Sequence, residues 1–279
     1  MSLKIDAHQH FWQYNADEYG WIDDAMMTLR RAFLPGDLEP LLIRQEFDGC
    51  IAVQARQTLQ ETIWLLQLAG EYSFIKGVVG WIDLCSGHIE DQLESLPFRN
   101  KLAGLRHVLQ DEADDNYMLR KEFMHGIEKL ASYNLAYDIL IFPGHLPQTI
   151  QLVSNFPEQT FVLDHMAKPR IKDKEINPWK KNIEKLAGFQ NVYCKISGMV
   201  TEADWHNRTA KDFIPYLDTV LNAFGTNRCM IGSDWPVCTV AGTYDDVIGL
   251  IKDYILQFSY SEQDMLLGGT AAKAYSLPR

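Results

Sequence analysis

Val192-Tyr193-Cys194-Lys195-Ile196-Ser197, then residues 211–225, then Cys229-Met230-Ile231-Gly232-Ser233-Asp234 form the stretch whose reading decides the fold. The outer two are short apolar runs of the kind that form buried strands. The middle segment places Phe213, Leu217, Val220, Leu221 and Phe224 at helical spacing and stops at Gly225. A strand, a helix and a second strand in this order make a parallel crossover unit. Working outward, similar apolar runs occupy residues 3–8, 49–54, 76–84, 102–109, 136–142 and 160–164. Their starts lie about 25 to 45 residues apart, enough for a helical return between parallel strands. Helical patterns fill residues 58–73, 117–133, 178–188, 243–258 and 261–275. Eight strands with helices between them predict an α/β fold, a (β/α)8 TIM barrel in one domain over residues 1–279. A doubly wound open sheet would need a G-x-G-x-x-G turn after its first strand, and none follows residue 8.

Composition narrows the partners. Twenty-six Lys and Arg against 37 Asp and Glu leave a net charge of −11, which disfavours a phosphate backbone or an anionic membrane surface. No nucleic acid and no membrane is therefore expected. A small-molecule substrate is, with assembly into a homo-oligomer left open. The five cysteines (Cys50, Cys85, Cys194, Cys229 and Cys238) share no metal-binding spacing and read as small core hydrophobes. With no basic-then-apolar leader at the start, a cytoplasmic location is expected.

Barrel enzymes place reactive groups at the C-terminal ends of strands. The first strand ends Asp6-Ala7-His8-Gln9-His10, so His8 and His10 project to the same side. Asp164-His165 follows the sixth strand and Asp234 the eighth, while Arg106-His107 ends the fourth. Histidines and carboxylates at four strand ends exceed what ordinary polar termini require. Lys195 is a charge within an apolar run, readable either as a side chain extending to solvent or as a substrate contact. His145 follows the fifth strand, Gln54 ends the second, and Trp81 lies in the third run. All three are candidates to touch substrate, as are Arg106 and His107, although strand parity allows only one of the latter pair to face inward.

His8-x-His10, Asp164-His165-x-x-Lys168-Pro169 and Gly232-Ser233-Asp234-Trp235-Pro236 resemble the amidohydrolase superfamily. The resemblance is to the branch containing sugar lactonases and 2-pyrone-4,6-dicarboxylate lactonase, and it spans nearly the whole chain. It implies a lactone-opening hydrolase in which Asp234 activates water and His8, His10 and His165 polarise the carbonyl. The same resemblance implies either one divalent ion, zinc, on His8, His10, His165 and Asp234, or no metal. Arg106-His107 stands where binuclear members carry a bridging lysine, and His145 lies beyond Pro143-Gly144, so a two-metal centre is not expected. A metal-dependent decarboxylase of the same superfamily is the alternative, and a non-catalytic barrel is a third reading. With Arg106 as the one arginine placed firmly at the mouth, and Arg56 and Arg170 less firmly, a neutral sugar lactone is expected in preference to a dicarboxylate.

Overall fold

The computed structural model describes residues 3–278. Eight parallel strands, β1 Ile5–Gln9, β2 Gly49–Val53, β3 Ile75–Gly80, β4 Leu102–His107, β5 Ala136–Ile139, β6 Phe161–Leu163, β7 Val192–Ile196 and β8 Cys229–Ile231, pair in sequence order. Beyond β8 the chain turns back onto β1. Asp234 N–H donates to the His8 carbonyl at 2.8 Å, and His10 N–H donates to the Trp235 carbonyl at 2.7 Å. These two bonds close the barrel, and they do so at the point where the candidate site lies.

Around it run α1 Pro35–Arg44, α2 Leu59–Glu71, α3 Ile89–Ser95, α4 Lys121–Leu130, α5 Leu146–Asn155, α6 Trp179–Leu186, α7 Ala210–Phe224 and α8 Tyr244–Ile255. Two short helices, α9 Tyr260–Asp264 and α10 Thr270–Ala274, complete the fold. Side-chain caps start several of them. Thr58 accepts from Glu61 N–H at 3.2 Å, and Thr243 and Asp246 cap α8 reciprocally. Three helices were not read from the sequence: α1, α3 and α5. Proline sits in the first turn of α1 (Pro35) and of α5 (Pro147). Each stands in a stretch that reads as a turn, yet proline is at home there because that turn's N–H needs no partner.

Two apolar layers result. Ile51, Val53, Val79, Val162, Tyr193 and Met230 fill the barrel floor, where Ala271, Ala274, Tyr275 and Leu277 plug it from below. Between strands and helices lies the larger layer, which holds Cys50, Cys194, Cys229 and Cys238. All five cysteines are free thiols, and burial pushes those of Cys50, Cys194, Cys229 and Cys238 up. Among the described residues no helix is long and apolar enough to cross a membrane.

Candidate active site

β1 supplies two imidazoles through a local irregularity. Ile5 and Ala7 pack into the barrel interior, so strict alternation would aim His8 outward. The pairing register of β1 shifts between Asp6 and Gln9. That slip turns His8 inward, the use to which strand bulges beside active sites are put. His8 Nε2 then lies 3.1 Å from His10 Nε2. His10 Nδ1 is 2.8 Å from the Val53 carbonyl, so it carries the proton and leaves Nε2 a lone pair.

β6 delivers His165 by a strained turn. His165, Met166, Ala167 and Lys168 all hold positive φ, between 48° and 58°, at a cost of roughly 1–2 kcal/mol per residue for side chains with a Cβ. The turn is held by Trp179 Nε1–H donating to the Met166 carbonyl at 2.7 Å and by Ser197 Oγ at 2.8 Å from His165 Nδ1. Gly198, at φ +64°, makes room for the ring: a Cβ there would stand 2.6 Å from His165 Nδ1. From β8, Asp234 brings Oδ1 to 3.4 Å from His10 Nε2, 3.8 Å from His8 Nε2 and 4.0 Å from His165 Nε2. The structure thus brings His8, His10, His165 and Asp234 together, each at most 5% exposed.

Charge states follow from burial and neighbours. Burial, then the Lys195 charge, holds His8 well below the usual imidazole range. Burial pushes His165 down to about 4. Burial alone would raise Asp234, but His165, His10 and Lys168 outweigh it and hold the carboxyl below its ordinary value. At neutral pH the cluster is therefore an ionised carboxylate facing uncharged imidazoles at His8 and His165.

That is a donor set suited to a cation. His8, His10 and Asp234 each offer one atom, mutually within 4.8 Å. Two ligand atoms each about 2.0–2.1 Å from a tetrahedral zinc stand about 3.3 Å apart, close to the 3.1 and 3.4 Å seen from His10 to His8 and to Asp234. A second grouping, His8, Asp164 and His165, is less suited. Its carboxylate already meets Arg106 Nη1 at 2.9 Å and Lys195 Nζ at 2.9 Å. Those two cations also stand 3.5 Å from His8 Nε2 and 3.1 Å from His8 Nδ1, which opposes a second metal ion.

The remaining sequence candidates are placed differently. Arg106 points inward, and its guanidinium is bound by Asp164 and by both the backbone and side-chain oxygens of Gln54. Lys195, fully buried, pairs with Asp138 at 2.5 Å beneath His8. Gln54, Arg106 and Lys195 thus brace the cluster from below. His107 points outward, stacked on Tyr117 at 4.9 Å, taking a bond from Trp81 Nε1–H and reaching Glu112 at 2.6 Å. His145 Nδ1 accepts from Phe142 N–H at 3.2 Å and its Nε2 lies 3.3 Å from Asp115. Gln54, Trp81, His107, His145 and Lys195, expected to touch substrate, all hold hydrogen bonds to protein partners, as Arg106 does. Phe11, Trp12 and Trp235, near the cluster, are buried, packed on Phe33 or on one another.

Three residues drew no role of their own from the sequence. Asp164 stood inside a motif already singled out. Asp138 interrupts the apolar run of β5 just as Lys195 interrupts β7, a matched pair of signals. Tyr275, whose hydroxyl donates to Asp138 at 2.8 Å from the floor helix, carried no signal.

The amidohydrolase family profile matches residues 5–277. The chain belongs to the amidohydrolase family. It is 39% identical to an L-fucono-1,5-lactonase of Burkholderia multivorans, with 99% of this chain and 97% of that protein covered. A crystal structure of an amidohydrolase from Burkholderia multivorans with bound zinc superimposes with a TM-score of 0.96 at 40% identity, covering 99% of this chain and all of that one. The 5-carboxyvanillate decarboxylase of Sphingomonas paucimobilis has a TM-score of 0.65 at 13% identity over 99% of both chains. That last likeness carries the fold alone. The barrel is that of an amidohydrolase, and its donor cluster stands at the closing seam between β1 and β8.

Proposed function

We propose that this amidohydrolase opens the ring of a neutral sugar-acid lactone, acting as one catalytic unit over residues 1–279. The observation that carries the reading is the ionised carboxylate of Asp234 facing three imidazole Nε2 atoms at 3.4–4.0 Å. The lactonase relative supports the substrate class. In this reading Asp234 is the general base. It takes a proton from water as the oxygen adds to the lactone carbonyl, then returns it to the ring oxygen when the C–O bond breaks. His165 and His8 line the side where negative charge develops on the carbonyl oxygen, and removing one such donor typically costs on the order of 10²–10³ in rate; His10, whose Nε2 keeps its lone pair, is suited to a cation instead. His8, His10 and Asp234, with His165 beside them, are the residues that would hold one zinc ion. Such an ion supplies Lewis acidity toward the carbonyl and lowers the pKa of water. Arg106, Gln54 and Lys195 keep the imidazoles in place. The setting proposed is the cytoplasm, consistent with five free thiols, and the partner is a small molecule, not nucleic acid.

The test is acid release from a panel of aldonolactones, with 2-pyrone-4,6-dicarboxylate included, followed with a pH indicator. Asp234→Asn is expected to lose about 10³-fold or more in kcat. Undiminished activity in that variant would remove Asp234 from the role of base. Turnover of the pyrone dicarboxylate alone would overturn the neutral substrate class.

A further inference from the structure

Beside the cluster, and not on it, lies a cavity of about 590 Å³, within the usual size of small-molecule sites. Its walls come from the loops after β5 (Phe142, Gly144), β6 (Lys168, Arg170) and β7 (Glu202), so it opens on the catalytic face of the barrel. Glu202 also lines a second cavity, with Arg170 and Trp205, and so stands on the ridge between the two. Arg170 is paired with Glu175 at 3.4 Å. Lys168 Nζ lies 5.4 Å from the Phe142 ring centroid. The side chain of Glu202 has no hydrogen bond or ion pair with any described residue. Glu202 is half-buried and its carboxylate oxygens keep solvent contact, so they are free to accept from a ligand in the cavity. Burial raises its pKa, with the charges of Lys168 and Asp234 acting on it in opposite directions.

We propose that Glu202 is the specificity-determining residue of the mouth, accepting hydrogen bonds from substrate hydroxyls and excluding anionic substrates from the cavity beside Asp234. The inference rests on the lactonase reading and says which lactones that site selects. Glu202 and Asp234 repel a dicarboxylate and offset the attraction of Lys168, Arg170 being paired with Glu175. Lys168, on the same wall, repels a cation. An uncharged molecule carrying several hydroxyl groups satisfies both, donating to Glu202, accepting from Lys168 and laying its C–H face on Phe142.

The experiment compares wild type, Glu202→Gln and Glu202→Ala on the aldonolactone that wild type opens fastest, with 2-pyrone-4,6-dicarboxylate as competitor. Loss of a hydrogen bond to a charged acceptor is expected to raise KM about tenfold or more in Glu202→Ala, with kcat within about threefold. Glu202→Gln keeps an acceptor and drops the charge, so its KM is expected to fall between the two. Inhibition by the dicarboxylate is expected to strengthen in both variants, because both lose the repelling charge. An unchanged KM in Glu202→Ala, or a fall in kcat at constant KM, overturns the proposal. Glu202→Gln, nearly isosteric, keeps the test decisive if the alanine variant folds poorly. A wild type inert on every aldonolactone fails differently: it overturns the lactonase reading, and this inference with it.

Discussion

Lys195 Nζ sits without solvent contact between two carboxylates, 2.5 Å from Asp138 and 2.9 Å from Asp164. Such an arrangement tolerates no single deletion, since removing one partner leaves uncompensated buried charge. Lys195→Met is expected to destabilise the protein by about 3–5 kcal/mol. Lys195→Met combined with Asp138→Asn is expected to cost clearly less than the sum of the single changes, because the second change removes a charge the first has stranded. Urea unfolding of the four proteins in the cycle measures the coupling, and strict additivity would show that the pair does not act as a unit. Burial already pushes Asp138 up to about 6 despite the lysine, which is the same strain seen from the carboxyl side. In the sequence, Lys195 and Asp138 are equally visible as charges in apolar runs. Their pairing is not visible, because it requires knowing that β5 and β7 each aim those positions inward. The closed barrel provides that, with side chains of alternate strands meeting in one layer.

The C-terminal elements show where helical periodicity misleads. Residues 261–275 read as one helix, but the chain forms α9, then a wide turn over Met265–Gly269, then α10. Gly268 is the reason. Its α-carbon is so near β1 that a Cβ would stand 1.9 Å from the Leu3 carbonyl oxygen. A continuous helix could not bring α10 under the barrel, where Ala271, Ala274 and Tyr275 plug the floor. Gly268→Ala must push backbone from backbone, a shift no rotamer change can absorb. The expected cost is about 1–3 kcal/mol, read as a lower urea midpoint at unchanged m-value, with kcat of the folded protein near wild type because the site lies at the opposite end. A wild-type midpoint would show that the floor is free to adjust. The strands were legible because burial on both faces writes a continuous apolar run. The meeting of His8, His10, His165 and Asp234 was legible because each ends such a run. The slip that turns His8 inward and the left-handed turn carrying His165 were not, since both depend on contacts with neighbouring strands.

Across the whole molecule, folding makes some buried carboxyls stronger acids and others weaker ones. Asp164 and Asp234 belong to the first kind, held low by adjacent cations and imidazoles despite burial. Asp6, Asp138 and Glu61 belong to the second, pushed by burial to about 6, 6 and 7. Glu61 is the most separable of these. It lies in α2, accepts from the N–H groups of Ala55 and Arg56 at 3.0 and 2.7 Å, and so anchors the turn that leaves β2. Above its folded pKa it is a buried anion. Between its unfolded value of 4.5 and about 7 the folded chain keeps a proton that the unfolded chain has already lost. Stability therefore falls as pH rises through this window, by up to about 3 kcal/mol for a shift of this size. Glutamine retains an oxygen for both backbone donors and carries no charge to desolvate. Unfolding free energies at pH 5 and pH 8 are then expected to differ less in Glu61→Gln than in wild type, by about 2–3 kcal/mol. The two carboxyls near 6 supply a further loss common to both proteins, and it cancels in the comparison. If wild type and variant lose equal stability between the two pH values, Glu61 is already ionised at pH 5 and the two backbone donors, with Arg56, outweigh its burial.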